Sequence, residues 1–544
     1  MPLQKKHNRG KWVIQIVILY FLLLLVCSSM AVSELARTQS THPTAKAFSS
    51  ISRQKVPNSA PSSADTSTPI VSSTRTQLNL PPTDPVSTES TITAPVDPPP
   101  GDWVGYLKDT GRSGFNDAEA LINPETASNL KRFWTYHAKG AISAQPVAFY
   151  GMIFWGSWDG FEHAIDLNGK QVWATYLGTT TDNNCVPSSA GVASTATVAT
   201  LKIGHKLIPV VFVGGGNAQF YALNAYTGEI IWKTWLGASP EHFIWSSPAF
   251  YKGNIYIGMA SFGDCPTIQG HVIQLNAING NVKNTFDIVP TGCQGGDIWT
   301  SPTIDADADE LYVATGNPDP CWTNEGLSGS LVKLRASNLS YLDSWQVPSA
   351  HSMIDSDFGA TPTLFTTKLR GVPHTMVGLV HKNGLYYAFD RNAIGKGPVW
   401  TAHIAYGGSA PEDGQGSISA TAWDGKKLYV AGGHTTIDGN YCAGSVRALN
   451  PENGSFLWEH CLTNGPVLAA VTVIPGIVVV EEGPAFDVLN ASSGKTLFVY
   501  RDANTYSTFD GPATVSNGVL YVGNLDGILY AFGLIPKQVR KLSS

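Results

Sequence analysis

A short pattern recurs along this chain: an apolar strand, a turn closed by glycine, then a tryptophan or phenylalanine four residues later. The fullest copy is Ala222-Leu223-Asn224-Ala225-Tyr226-Thr227-Gly228, which leads to Trp232. Gly169 leads in the same way to Trp173, Gly454 to Trp458 and Gly494 to Phe498. Looser copies span 274–280, 333–338 and 388–395. Copies lie roughly 40–60 residues apart, the spacing of propeller blades. Each follows a second hairpin-like unit, such as 245–258 or 418–431, and two consecutive hairpins make a four-stranded antiparallel blade. The pattern predicts blades at 142–178, 192–237, 244–290, 298–348, 358–408, 416–464 and 466–502. A last unit, 509–534, carries three strands, and 130–136, with Trp134, supplies its fourth. The expected fold is therefore all-β, an eight-bladed propeller closed by pairing its first and last strands. Trp173, Trp232 and Trp458 are read as wedges that fill the gaps between blades.

The repeat leaves the first 100 residues unexplained. Residues 12–32 carry no charge and are preceded by Lys5, Lys6, Arg9 and Lys11. A positive flank before an apolar run of this length reads as a signal peptide or an N-terminal transmembrane anchor, here 1–37. Residues 38–100 are rich in Ser, Thr and Pro, too poor in large apolar groups to fold, and read as a disordered linker. Residues 101–544 are the folded body, expected outside the cytoplasm, either membrane-anchored or secreted. The net charge of −6 and the lack of a basic block beyond the N-terminus exclude a nucleic-acid partner.

Strand alternation puts two sets of loops on one face: those entering each blade and those joining its second and third strands. Six cysteines lie in or beside these loops, and in an exported chain an even count favours disulfides. Cys442 and Cys461 flank one hairpin, and Cys265 and Cys293 flank another. Cys185 with Cys321 is then the remainder, and Cys293 with Cys321 competes with that assignment. The same face collects His242, Trp245, Asp297, Trp299, Asn317, Asp355, Asp357, Lys382, Asp413 and Asp510. Runs 299–304 and 311–315 read as a hairpin whose open end brings Trp299 near Asn317. An indole face can stack on a planar ring, and an amide oxygen can ligate a hard cation such as Ca²⁺.

Over about residues 101–535 the chain resembles the pyrroloquinoline-quinone (PQQ)-like β-propellers of the quinoprotein alcohol dehydrogenase-like superfamily. That scaffold serves quinone-dependent dehydrogenases and also non-enzymatic propellers such as the outer-membrane assembly lipoprotein. The resemblance implies PQQ and calcium as cofactors. Gly295-Gly296-Asp297-Ile298-Trp299 resembles the strand that supplies an indole floor under the quinone, which implies Trp299. Thr315-Gly316-Asn317-Pro318-Asp319-Pro320 resembles the loop that gives an Asn to Ca²⁺, which implies Asn317; Cys321 is inserted before Trp322. Lys382, before Asn383-Gly384 and Asp390-Arg391, matches the cation that contacts the quinone. Asp355-Ser356-Asp357 matches the Asp-rich stretch that supplies the base, with Asp355 also a metal-ligand candidate, and Trp245 is taken as a further cofactor contact. Departures are equally plain. No two cysteines are adjacent. The family's acidic Ca²⁺ ligand falls at Cys265, with Asp264 one position away. The base motif reads Asp-x-Asp where the family has a Trp.

These groups suit alcohol oxidation: an aspartate as base, Ca²⁺ to hold that base ionised, and a lysine to stabilise charge on the reduced quinone. The expected activity is a dehydrogenase of alcohols, polyols or sugars. With no CxxC for haem attachment, its electrons leave to a separate acceptor. Each residue also has a purely structural reading. Asp355 and Asp357 can cap a turn, Asn317-Pro318 and Asn383-Gly384 are turn dipeptides, and Trp299 can be a blade wedge. The alternative function is accordingly a non-catalytic surface propeller that binds a protein or glycan. Asp305-Ala-Asp307-Ala-Asp309-Glu310 resembles the start of a Ca²⁺ loop but lacks its glycine and closing glutamate, so it is read as a hairpin turn. Glu481-Glu482 has no partner legible in the sequence.

Overall fold

A computed structural model describes residues 98–322, 325–351 and 355–535, all within the larger of two compact units, Ser87–Ser544. The apolar segment 12–32, and nearly all of the expected linker, lie outside the described residues. Among the described residues no helix is long and apolar enough to cross a membrane, and the only helical elements are short 3₁₀ turns. The rest is an eight-bladed propeller of four-stranded antiparallel sheets. Blade one comprises Val147–Phe149, Met152–Gly156, Phe161–Asp166 and Gln171–Tyr176. Blade eight comprises Thr514–Ser516, Val519–Gly523 and Ile528–Gly533, and its outer strand is Lys131–His137, with Lys131 opposite Gly533 and His137 opposite Ile528. The ring is thus closed by hydrogen bonds between the two ends of the folded body, which leaves no open blade edge at the junction.

The glycine–tryptophan repeat has one physical cause, seen five times. In each case an outer-strand tryptophan lies on the turn glycine of the next blade and donates its indole N–H to a carbonyl there. Trp134 donates to Leu167 at 3.0 Å, Trp173 to Ala225 at 2.9 Å, Trp232 to Ala277 at 3.1 Å, Trp400 to Pro451 at 3.1 Å and Trp458 to Ala491 at 3.0 Å. At Gly228, with φ +71°, a β-carbon would lie 2.6 Å from the Trp173 ring. Glycine is required there both by the left-handed turn and by the indole pressed against it. The wedge role expected of Trp173, Trp232 and Trp458 is what these contacts describe.

One feature was not foreseen in the sequence. Residues 102–116 run across the inner strands of the ring and bond to every blade in turn. Backbone hydrogen bonds join Trp103 to Ala148, Val104 to Val198, Thr110 to Ile304, Gly111 to Leu364, Ser113 to Trp423 and Gly114 to Val473. Side chains reach the other two: buried Arg112 donates to Pro248 O at 3.2 Å, and Asn116 donates to Val515 O at 2.8 Å. Inner strands end a blade's ladder and would otherwise leave unpaired backbone groups; this segment satisfies one set after another.

Blade four corrects an expectation. Its first strand is Thr303–Asp305, not a run from Trp299, and it pairs with Glu310–Ala314. Pro302 has no N–H to give the ladder, so 295–302 remain a loop. The Asp-rich segment beyond is the turn it resembled: Asp305 Oδ1 accepts the N–H of Asp307 at 3.0 Å and of Ala308 at 3.3 Å, and its other oxygen pairs with Arg391.

Candidate active site

The freed loop before blade four shapes the site. Gly296 N–H donates to Asn317 O at 2.7 Å and Gly316 N–H donates to Asp297 O at 2.8 Å, so this loop is zipped to the loop after the blade's second strand. A β-carbon at Gly316 would lie 1.9 Å from Asp297 Oδ1; the close approach demands glycine and aims Asp297 inward. There its Oδ2 accepts from Ser261 N–H at 3.1 Å and Ser261 O–H at 2.9 Å. The Ser261 hydroxyl also meets Asp264 Oδ1 at 2.7 Å. Asp297 is pushed up to about 7, by burial first and then by the charges of Asp264 and Asp357.

Blade five brings the opposite wall. Asn383-Gly384 is indeed a turn, with Gly384 at φ +82° and Asn383 Oδ1 accepting Leu385 N–H at 3.1 Å, and the turn presents Lys382. The ammonium lies 2.7 Å from Asp357 Oδ1 and 3.1 Å from Asp355 Oδ1, and 5.3 Å over the Trp299 ring. Trp299 donates its indole N–H to Asp357 Oδ2 at 2.9 Å. Asn317 donates its amide N–H to Asp355 Oδ1 at 2.7 Å. Burial raises the pKa of Asp357, against the opposing pull of Lys382 and Trp299. Burial also works against the charge of Lys382, but Asp357 and then Asp355 outweigh it, and its pKa rises. The side chain of Asp357 is 3 % exposed and that of Asp355 49 %, so the two carboxylates differ sharply in solvation.

A cavity of about 310 Å³ lies between these walls. Of the residues singled out in the sequence, Trp245, Asp264, Trp299, Asp355, Asp357 and Lys382 line it, and Asn317 meets it through Asp355. His242, Asp413 and Asp510, expected on the same face, are not part of its wall. Asp297, placed on this face by the sequence without a role, lines it, and so does Ser261, which the sequence did not single out. Among the described residues no three His, Cys, Asp or Glu side chains converge closely enough to cage a metal by themselves. The carboxylates instead ring the cavity, and a cation there would need further donors from water or a cofactor.

The disulfides staple this face. Cys442 pairs with Cys461, as the flanking of one hairpin suggested. The expected pairs Cys265–Cys293 and Cys185–Cys321 do not form. Cys265 joins Cys185, and Cys293 joins Cys321, the assignment that competed in the sequence. The reason is that the loops containing Cys265 and Cys293 each lean toward a neighbouring loop rather than back across their own hairpin. Cys185 and Cys265 pack with Phe243, Phe262 and Trp245 beside the cavity.

A family model named PQQ_2 and described as "Outer membrane protein assembly factor BamB" matches residues 163–356 and 371–541. The chain belongs to this PQQ-like repeat family. Similarity extends to a polyvinylalcohol dehydrogenase of a Pseudomonas species, 24 % identical over 489 residues, which cover 78 % of this chain and 73 % of that protein. A quinohemoprotein alcohol dehydrogenase of Comamonas testosteroni is 24 % identical over 340 residues, 53 % of this chain and 45 % of the relative. The crystal structure of the Comamonas testosteroni quinohemoprotein alcohol dehydrogenase superposes with a TM-score of 0.62 at 18 % identity, covering 80 % of each chain. At that identity the structural match speaks for the propeller fold of this PQQ-like repeat protein. Its three disulfides fit an oxidising compartment outside the cytoplasm.

Proposed function

We propose that this protein is an exported quinoprotein dehydrogenase, dependent on PQQ and Ca²⁺, that oxidises alcohols, polyols or sugars. The observation that carries the reading is the convergence of Trp299, Asp357 and Lys382 in one cavity, each bonded to or stacked on another. The residues fit the two cofactors. The indole of Trp299 offers a planar wall. Asp297, buried and pressed by Asp264 and Asp357, makes one side an acidic pocket short of positive charge, which suits a divalent cation. Asn317 and Asp355 touch, so both can reach one cation once the Asn317 amide turns its oxygen inward.

Bound there, PQQ supplies a two-electron acceptor for a carbinol C–H, and Ca²⁺ supplies charge that keeps a nearby carboxylate ionised. Asp357 is the base: it is buried, and the Trp299 N–H and Lys382 fix both of its oxygens. Asp355, half in water at the rim, serves as a cation ligand with Asn317, and Asp264 joins from the other wall. Lys382 offers a positive charge where a quinone oxygen would gain electrons. The names of the relatives, dehydrogenases of alcohols and of polyvinylalcohol, support hydroxylated substrates. Electrons pass to a separate acceptor. The apolar run at 12–32 is read as the membrane anchor.

One observation favours the non-catalytic alternative, a surface propeller for a protein or glycan. Lys382 is already held by two carboxylates, a closed network that could be purely structural. Titration of the protein with PQQ, with and without Ca²⁺, separates the readings by quenching of tryptophan fluorescence. Saturable, Ca²⁺-dependent quenching that disappears in Trp299→Ala and Asn317→Ala, followed by dye reduction with alcohols, is the expected result. No binding at micromolar PQQ would sink the dehydrogenase reading.

A further inference from the structure

A second cleft, of about 430 Å³, opens on the same face as the candidate active site. The two cavities stand on either side of one loop. Ser261, Gly263 and Asp264 line the first, while Thr267 and Gln269 line the second. The far wall is shared in the same way: Asn317 touches the first cavity through Asp355, and Asp319, two residues on, lines the second. His242, on the second cleft, is paired in the sheet with Ser261 on the first. Thr267 donates to Asp319 across the cleft, and Gly295 bridges Gln269 and Pro318, so both walls are held in register.

The lining is chemically specific. Glu241, His242, Thr267, Gln269 and Asp319 provide hydrogen-bonding groups, and neither lysine nor arginine is among the residues that line the cleft. Such a wall suits hydroxyl groups and disfavours anions. Trp322 stands at the cleft with 78 % of its surface exposed, the most exposed tryptophan among the described residues. Cys321, next to it, is bonded to Cys293, so the chain that carries Trp322 is tethered to the opposite side of the cleft lining. A solvated aromatic face beside a polar cleft is a platform for the C–H faces of a polyol or sugar.

We infer that this cleft binds the adjoining segment of an extended, uncharged polyhydroxylated chain whose reacting hydroxyl lies in the first cavity. The inference rests on the dehydrogenase reading for the second half of that statement only. Binding itself is testable without a quinone. Isothermal titration of the protein, free of PQQ, with a poly(vinyl alcohol) oligomer and with glycerol gives the first arm. The expected result is saturable oligomer binding that Trp322→Ala weakens by at least about tenfold, with glycerol showing no such dependence. Steady-state kinetics on the PQQ- and Ca²⁺-loaded enzyme gives the second arm: Trp322→Ala raises KM for the oligomer and leaves kcat/KM for a short primary alcohol unchanged. Equal oligomer affinity in the two proteins, or no binding by either, overturns the inference, including the case in which the cleft serves a protein acceptor. Binding without turnover of any alcohol leaves the cleft assignment standing and removes the dehydrogenase reading instead.

Discussion

Trp299 donates its indole N–H to the buried carboxylate of Asp357, 2.9 Å away. The residue expected as a cofactor floor and the residue expected as a base are therefore one hydrogen-bonded unit. Lys382 completes it by holding the other Asp357 oxygen at 2.7 Å. Removing Lys382 or Trp299 leaves the buried Asp357 carboxylate short of a partner, so the unit is open to test on stability as well as on activity.

Lys382→Met strands Asp357 as a buried carboxylate without its cation. Breaking a buried pair on one side costs about 3–5 kcal/mol, because the remaining charge is uncompensated. Urea unfolding at neutral pH should show a loss near the lower end of that range, since the Trp299 hydrogen bond persists. Adding Asp357→Asn to the same protein removes the stranded charge and should recover most of the loss. A double variant no more stable than Lys382→Met would show that the pair is not the source.

Asp357→Asn separates chemistry from binding. The amide oxygen can still accept from Trp299, so the wall that would face the quinone stays in place, but the group can no longer take a proton. Loss of a general base typically costs about 100-fold to 10,000-fold in rate. Dye-coupled turnover should fall by at least about 100-fold, with quenching by PQQ retained. Asp355→Asn should instead raise the Ca²⁺ concentration needed for half-maximal activity more than it lowers the maximal rate, because that residue sits at the rim beside Asn317.

Gly359 supports the indole from behind. A β-carbon there would lie 2.3 Å from the Trp299 ring and 2.5 Å from Ile418. Overpacking of this kind costs about 1–3 kcal/mol. Gly359→Ala should lower stability in that range in thermal or urea unfolding and shift the Trp299 fluorescence signal. An unchanged spectrum and Tm would mean that the ring has room the structure does not show.

The eight blades were legible because the repeat records a contact between neighbours: the glycine of one blade exists to receive the tryptophan of the one before. The crossing of 102–116 was not, since Arg112 and Asn116 bond to backbone carbonyls, and carbonyls leave no trace in sequence. At the site, Trp299, Lys382 and the Asp355-Ser356-Asp357 run stood out by resemblance to a family pattern. Asp297 was placed on the same face but given no role, and Ser261 was not singled out, because their importance comes from three loops meeting. Cys442–Cys461 and the competing pair Cys293–Cys321 did form, but Cys265–Cys293 and Cys185–Cys321 failed for the same reason. Flanking a common hairpin puts two cysteines in reach of each other, but Cys265 and Cys293 each find a partner on another loop.

Glu481 gives a prediction that stands apart from any cofactor. It is fully buried, accepts Ala513 N–H at 2.8 Å through one oxygen, and is pushed up to about 8 by burial. In the unfolded chain a glutamate titrates near about 4.3. Between those two values the folded protein holds a proton that the unfolded chain has lost, so this residue makes stability fall as pH rises through that interval; below it the contribution is fully present. Asp487, also raised to about 8 by burial and by its contact with Glu482, acts in the same direction. Glu481→Gln keeps an oxygen for Ala513 and removes the titration. Thermal unfolding from pH 5 to pH 8 should show the variant more stable than the parent at the alkaline end, by a few degrees, with the two converging near pH 5. A variant that is less stable at pH 8 would mean that Glu481 is ionised in the fold and held by a group other than Ala513.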